Sequence, residues 1–434
     1  MKRWIILFWI VTAPAWAQSN HVIVISLDGC RPEFYLPGAL TKTLTSLCER
    51  GSYARGALPP YPSMTYPGHT TIATGTLPAR HGVNGNSLFE PPKVESRGYW
   101  YASDIKVPAL WDVAHAAGLT VGTVVWPCTA DSKAIDWNVT EFWTTPLGKE
   151  LDLMREHSTP GLLTGIESVA RGDAAAWDAY MTKIAAQIIQ EHKPNLLFLH
   201  LLEADKVQHH GGRTAPELPE ALQHLDADVQ AIIDAAQKAG IVERTTFIVL
   251  GDHGFADISQ TIAPNSLLAS NGFITVTDTG IADWRAMVVN TGGSAGVYLN
   301  HGQDAAEVRA LLEKNGKGLY RIIDKEELVK LGGPRDAAFY LEAEPGYMFV
   351  GGSTGKTLVR PSQLKGNHGF LPTNPQLHTG FIAAGRGIKK GVVLDLIRLT
   401  DVAPTVARLL GLKLDETDGR VLEEILATGG QNHN

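Results

Sequence analysis

The chain has 434 residues, 44% of them hydrophobic and 19% charged, a composition that fits an ordinary globular protein with one large core or two smaller ones. Its formal net charge is −7 and it carries no basic run, which excludes binding to a nucleic-acid polymer as its main activity. Cys30, Cys48 and Cys128 are an odd set, so at least one thiol is free or intermolecular. They allow one disulfide of undetermined pairing, and a fold this large does not depend on it.

The first residues read "MKRWIILFWIVTAPAWAQSN". Lys2 and Arg3 precede a short apolar run, and Ala15-Trp16-Ala17 is a small-x-small site. This predicts a signal peptide over residues 1–17 with cleavage after Ala17, and hence a secreted or periplasmic protein without stable membrane insertion. Next comes "HVIVISLDGC", a continuous β-branched run that ends in Asp-Gly, as buried parallel strands do. "LTVGTVVWP", "NLLFLHLLEAD" and "TTFIVLGDHG" repeat the form. Helical patterns lie between them, in "TKTLTSLCERG", "PALWDVAHAAGL", "AAAWDAYMTKIAAQIIQEH" and "ALQHLDADVQAIIDAAQKAG". The alternation predicts an α/β fold, a doubly wound and mostly parallel sheet flanked by helices. Residues 258–366 read differently and predict a small inserted α+β subdomain. The catalytic domain is then 18–257 with 367–427. "LTDVAPTVARLLGL" predicts a closing helix with Thr400 or Asp401 as N-cap. Residues 428–434 read as a disordered tail.

Functional groups of such sheets gather at the carboxyl ends of the strands. Asp28 and the pair Asp252-His253 fall there. Asp205 and His209 stand four apart, on one face of a helical turn, and His368 lies between glycines far downstream. Carboxylates and imidazoles on rigid strand ends suit a divalent metal such as zinc, and six such residues fit two adjacent ions. Two ions clamp the attacking and leaving oxygens of an in-line phosphoryl displacement. This gives a purpose to "YPSMTYPGHTTIATG", where Ser63 and Thr65 have no local base except His69. A metal lowers the pKa of a hydroxyl without one. Thr65 as N-cap, with Pro67 in the first turn, would also aim helix N–H groups at a bound anion.

In order along nearly the whole mature chain, "SLDG", "MTYPGHTTIATGTLPARHGVNGN", "WP", "EADKVQHHG", "GDHG", "GNHG" and "LTDVAPTVARLLGL" resemble the nucleotide pyrophosphatase/phosphodiesterases of the alkaline phosphatase superfamily. The resemblance implies two zinc ions per chain, one held by Asp28, Thr65, Asp252 and His253 and the other by Asp205, His209 and His368. It implies Thr65 as nucleophile, with a covalent phospho-threonine intermediate, and Asn86 as hydrogen-bond donor to a phosphate oxygen. It implies a small phosphodiester substrate, nucleotides included, with Tyr66 at a stacking position.

Three positions depart from the family pattern. Pro-Gly-His replaces the usual Pro-Asn-His after the nucleophile, Cys30 replaces a Phe after "DG", and His200 stands where nucleotide-cleaving members often have a base-stacking Tyr. They leave the metal chemistry intact and weaken the expectation for nucleotides. The alternatives are a phosphomonoesterase or phosphonate hydrolase on the same frame, and a non-catalytic periplasmic metal- or phosphate-binding protein. A monoesterase of this type is expected to show a Lys-x-Arg pair after "VVWPCTADSK", and only Lys133 is present. "NVT" at 138–140 has the form of a glycosylation sequon.

Overall fold

The computed structural model of the chain describes residues 21–90, 97–143, 149–169, 172–278, 280–300, 305–352 and 357–427. The expected signal peptide and tail lie outside them. Among the described residues, no helix is long and apolar enough to cross a membrane.

The central sheet contains six strands that bear on the site: β1 (His21–Leu27), β2 (Ser52–Leu58), β3 (Val121–Trp126), β4 (Trp137–Thr140), β5 (Leu196–Leu201) and β6 (Thr245–Leu250). Five of them run parallel in the order β6-β1-β5-β3-β4. The strand Thr379–Gly385 continues the sheet antiparallel to both β6 and β2. The sheet is thus mixed at one side and parallel where the four apolar runs predicted it.

Every residue of β1 is buried, and its side chains alternate between two cores. Ile23, Ile25 and Leu27 pack on one face with the helices Ala174–His192 and Leu218–Lys238. Val22 and Val24 pack on the other with Leu110–Ala116 and Val402–Leu409. The continuous β-branched run is therefore the mark of a strand covered on both faces, with no polar side left for water. A third core gathers in the stretch read as an inserted subdomain, residues 258–366, where Ile262, Phe273, Val297, Leu341 and Phe349 are buried. That stretch has an antiparallel sheet of Ala286–Thr291, Ser294–Leu299, Tyr320–Ile323 and Phe339–Ala343.

The register brings the site together. Ser26 stands level with His200 on β5 and with Leu250 on β6. Asp28, Asp205 and Asp252 therefore leave the sheet at one end, from three neighbouring strands. Cys30, Cys48 and Cys128 are all buried and free, so no disulfide forms among them. Asn138 of the sequon is buried on β4; its amide accepts from the Thr123 hydroxyl at 2.6 Å and donates to the Thr129 carbonyl at 2.8 Å. A side chain so engaged is inaccessible to glycosylation.

Candidate active site

Helix α1 spans Thr65–Thr74 and is preceded by Met64 as N-cap. Thr65 is thus the first helical residue, not the cap, and its hydroxyl is turned into the site. Its Oγ1 lies 3.4 Å from His253 Nε2. Gly68 explains the departure from Pro-Asn-His: a Cβ there would come within 2.8 Å of the Asp252 carbonyl oxygen and 3.0 Å of the Asp252 Cβ. Without a side chain, α1 presses directly on the strand end that carries Asp252 and His253.

Around Thr65 the expected ligands converge. His253 Nε2 is 3.2 Å from both Asp28 Oδ1 and Asp252 Oδ2. The His253 and His368 rings stack at 3.6 Å with 15° between planes. Asp205 Oδ1 is 3.4 Å from His209 Nε2 and 3.8 Å from His368 Nε2. Two sets of ligand atoms lie within 4.8 Å of one another: Asp28, Asp252 and His253, and Asp205, His253 and His368. His253 therefore stands between the two groups, and His209 sits just outside the tighter cluster, against Asp205.

Burial shifts the carboxylates and imidazoles of this cluster in opposite directions. Burial, with the Asp205 carboxylate nearby, pushes Asp28 well above the usual carboxylate range. Burial and Asp28 do the same to Asp252, and burial raises Asp205. Burial lowers His253 and His368 well below the ordinary imidazole value, and each faces a second histidine that lowers it further. Asp28 Oδ1, Asp205 Oδ1 and Asp252 Oδ2 are buried without a hydrogen-bond partner among the described residues. Buried carboxylate oxygens are costly when unpaired, and neutral imidazoles are the form that ligates metals. The donor set fits divalent cations.

The remaining ring nitrogens are fixed from outside. His368 Nδ1 lies 3.2 Å from the Ser63 carbonyl, His209 Nδ1 3.0 Å from the Gly366 carbonyl, and His253 Nδ1 3.1 Å from the Gly254 carbonyl. Such contacts hold Nδ1 as the protonated nitrogen and turn Nε2 inward as an acceptor. Ser63 is buried, donates its hydroxyl to the Phe370 carbonyl at 2.9 Å and accepts from the Gly369 N–H at 3.1 Å. It ties the His368 loop to the nucleophile loop and is not presented to a substrate.

Two further histidines support the centre. His200 is fully buried on β5, its Nε2 3.1 Å from Asp28 Oδ2 and its Nδ1 3.2 Å from the Val125 carbonyl. Instead of standing at a base-stacking surface, it holds the Asp28 carboxylate. Its signal was available in sequence, since it ends a strand parallel to the one that ends at Asp28. His69 Nδ1 lies 2.8 Å from the Thr65 carbonyl and 3.6 Å from Asp252 Oδ2, so it links the Thr65 turn to Asp252. Asp178, which sequence reasoning passed over, is buried and accepts from the Leu202 and Glu203 N–H groups at 2.8 to 2.9 Å. It thereby caps the helix Glu203–Gly211 that carries Asp205 and His209.

Asn86 accepts the Tyr66 N–H on Oδ1 at 3.0 Å, which leaves Nδ2 as the donor for another group. Tyr66 itself departs from the expected substrate wall. It is 2% exposed and packed with Val83, Tyr99 and Cys128, so its ring is core. A cavity of about 380 Å³ opens beside Met64 and Asn86 and reaches the inserted subdomain at Val289, Thr291 and Asp336.

The family model described as type I phosphodiesterase/nucleotide pyrophosphatase matches residues 22–371. Mouse ectonucleotide pyrophosphatase/phosphodiesterase family member 1 is 25% identical over 252 residues, 56% of this chain and 24% of that protein. Rat family member 7 is 22% identical over 425 residues, 95% of this chain and 88% of that protein. The chain thus spans about a quarter of the length of mouse family member 1. The structure of murine family member 5 superposes with a TM-score of 0.70 at 19% identity, covering 94% of this chain and all of that one. A further structure is of that murine protein as an inactive threonine-to-alanine variant in complex with AMP.

Proposed function

We propose, for a chain that belongs to the type I phosphodiesterase/nucleotide pyrophosphatase family, that it is an exported hydrolase of small phosphodiesters, acting with two zinc ions and through a covalent phospho-threonine intermediate. The observation that carries this reading is the set of three partnerless buried carboxylate oxygens beside neutral imidazoles and the Thr65 hydroxyl. Asp28, Thr65, Asp252 and His253 would hold one ion, and Asp205, His209 and His368 the other. When bound, the ions supply Lewis acidity, lowering the pKa of the hydroxyl and stabilising charge on the phosphoryl oxygens.

The chain's own part is positioning. Thr65 Oγ1 gives up its proton to solvent and attacks phosphorus in line, and the bond from phosphorus to the departing ester oxygen breaks as the new bond forms. The leaving oxygen is protonated by solvent. Water then attacks the phospho-threonine, the bond from phosphorus to Thr65 Oγ1 breaks, and the free hydroxyl returns. Asn86, fixed through Oδ1 by the Tyr66 N–H, turns Nδ2 to a non-bridging phosphate oxygen. His200 and His69 hold Asp28 and Asp252 in place throughout. A nucleotide among the substrates is supported by the AMP complex of murine family member 5.

The test is steady-state hydrolysis of bis(4-nitrophenyl) phosphate and 4-nitrophenyl phosphate, before and after chelation. The diester should be favoured at least about a hundredfold in kcat/KM, with activity lost on chelation and restored by zinc. A monoester preference moves the protein to the phosphatase reading. Turnover of neither substrate, with metal bound, favours the non-catalytic one.

A further inference from the structure

We infer that the cavity between the 84–89 loop and the inserted subdomain takes an organic substituent of the phosphodiester, and that it selects an uncharged or cationic group bearing hydrogen-bond donors over one carrying further negative charge. This rests on the phosphodiesterase reading and specifies its substrate class. Position comes first. Met64, which immediately precedes Thr65, and Asn86, which holds the Tyr66 N–H, both line the cavity. A substituent on phosphorus held at Thr65 therefore has this space beside it. About 380 Å³ is within the range of small-molecule sites, which favour boundaries between structural units.

The chemistry of the lining decides what fits. No Lys, Arg or His lines the cavity among the described residues, and its one charged side chain is Asp336, at the exposed rim. A second phosphate would meet a carboxylate and no cation to pair with, a repulsion that such sites use for exclusion. Asn84 points the same way. Its Nδ2 donates to both Asp336 oxygens, at 3.2 and 3.4 Å, which fixes the orientation of the amide because the flipped form would set oxygen against oxygen. Asn84 Oδ1 is then left buried with no hydrogen-bond partner among the described residues. An unpaired acceptor next to a carboxylate calls for hydroxyl or ammonium donors. The Phe89 and Tyr298 rings, 4.3 Å apart, add an apolar wall for a carbon skeleton.

The test uses four 4-nitrophenyl phosphodiesters with a common leaving group. The second substituent is methyl, thymidine through its 5′ oxygen, ethanolamine through its oxygen, or thymidine carrying a 3′-phosphate. Each kcat/KM is divided by that of the methyl ester in the same variant. In the wild type the thymidine and ethanolamine ratios should exceed that of the 3′-phosphorylated compound by about tenfold or more. Asp336→Lys should narrow or reverse that gap by about tenfold. Val289→Trp, which fills the cavity from the subdomain side, should bring the thymidine and ethanolamine ratios down toward one. Ratios unmoved in both variants would overturn the inference while leaving the phosphodiesterase reading intact. Failure of every diester, the methyl ester included, would sink the phosphodiesterase reading and this one with it.

Discussion

Ser63 and Thr65 are the two hydroxyls from which sequence had to choose, and replacing Ser63 by Ala separates their roles. The Ser63 side chain makes two buried hydrogen bonds, donating to the Phe370 carbonyl and accepting from the Gly369 N–H. The Gly369 N–H keeps a second acceptor after the change, the Ser63 carbonyl at 2.8 Å. The net loss is therefore one donor, with the Phe370 carbonyl left unsatisfied in a buried place, which costs about 1–2 kcal/mol. The damage falls on the loop that carries His368, so kcat/KM should drop by less than about tenfold through looser placement of that ligand. Urea unfolding followed by diester hydrolysis under saturating zinc measures both. A Ser63→Ala protein with an unchanged unfolding midpoint and full metal content, yet no activity, would refute the reasoning and make Ser63 the nucleophile.

Thr65→Ala should lose several powers of ten in turnover while keeping its fold, and acid quenching of the wild type with labelled diester should place phosphate on Thr65; label elsewhere contradicts the assignment. Asp178→Ala strips the Leu202 and Glu203 N–H groups of their acceptor, for about 2–4 kcal/mol, and should lower metal content through Asp205 and His209; unfolding and metal analysis that match the wild type would deny it a capping role. Gly68→Asn, which installs the residue expected from the family pattern, should destabilise this chain by about 1–3 kcal/mol and loosen α1 against Asp252, and unaltered stability by urea unfolding would show that the helix has room to shift.

The elements most legible in the sequence were those buried on both faces. β1, β3, β5 and β6 are continuous apolar runs because the core leaves them no polar side. The strand Ser52–Leu58 includes Arg55 and Gly56, and Thr379–Gly385 sets only Phe381 and Ile382 among small residues, so neither shows a pattern that separates it from a loop. Asp401 was legible as the position before the last helix, but not in its use. It accepts from the Arg398 and Arg420 N–H groups, both outside that helix, and so fastens the C-terminal loop. Metal-ligand candidates were legible because charged residues at strand ends are costly without a purpose. The supporting residues were harder, since His200 reads as part of an apolar strand and Asp178 as one acid on an amphipathic helix. Tyr66 misled for a related reason. Adjacency to Thr65 in sequence says nothing about which way a ring turns on a helix, and here it turns inward.

The hairpin of the inserted subdomain turns at Gly292 and Gly293, and the Gly293 N–H donates to the His368 carbonyl at 2.8 Å. A Cβ on Gly292 would come within 2.2 Å of that same carbonyl, so only glycine allows the approach. His253 lies before the insertion and His368 after it, and their rings stack. The insertion is thus a loop whose two ends are clasped where the ligands meet and whose far side reaches back to brace the clasp. Any cation gripped by both histidines requires that loop to be closed, and a folded insertion has already met the entropy of closing it, so loading the centre and folding the insertion become one equilibrium. Mutations deep in the subdomain core, remote from any ligand, should therefore appear as shifts in metal affinity, and a chelator should make the insertion the first part of the chain to admit a protease.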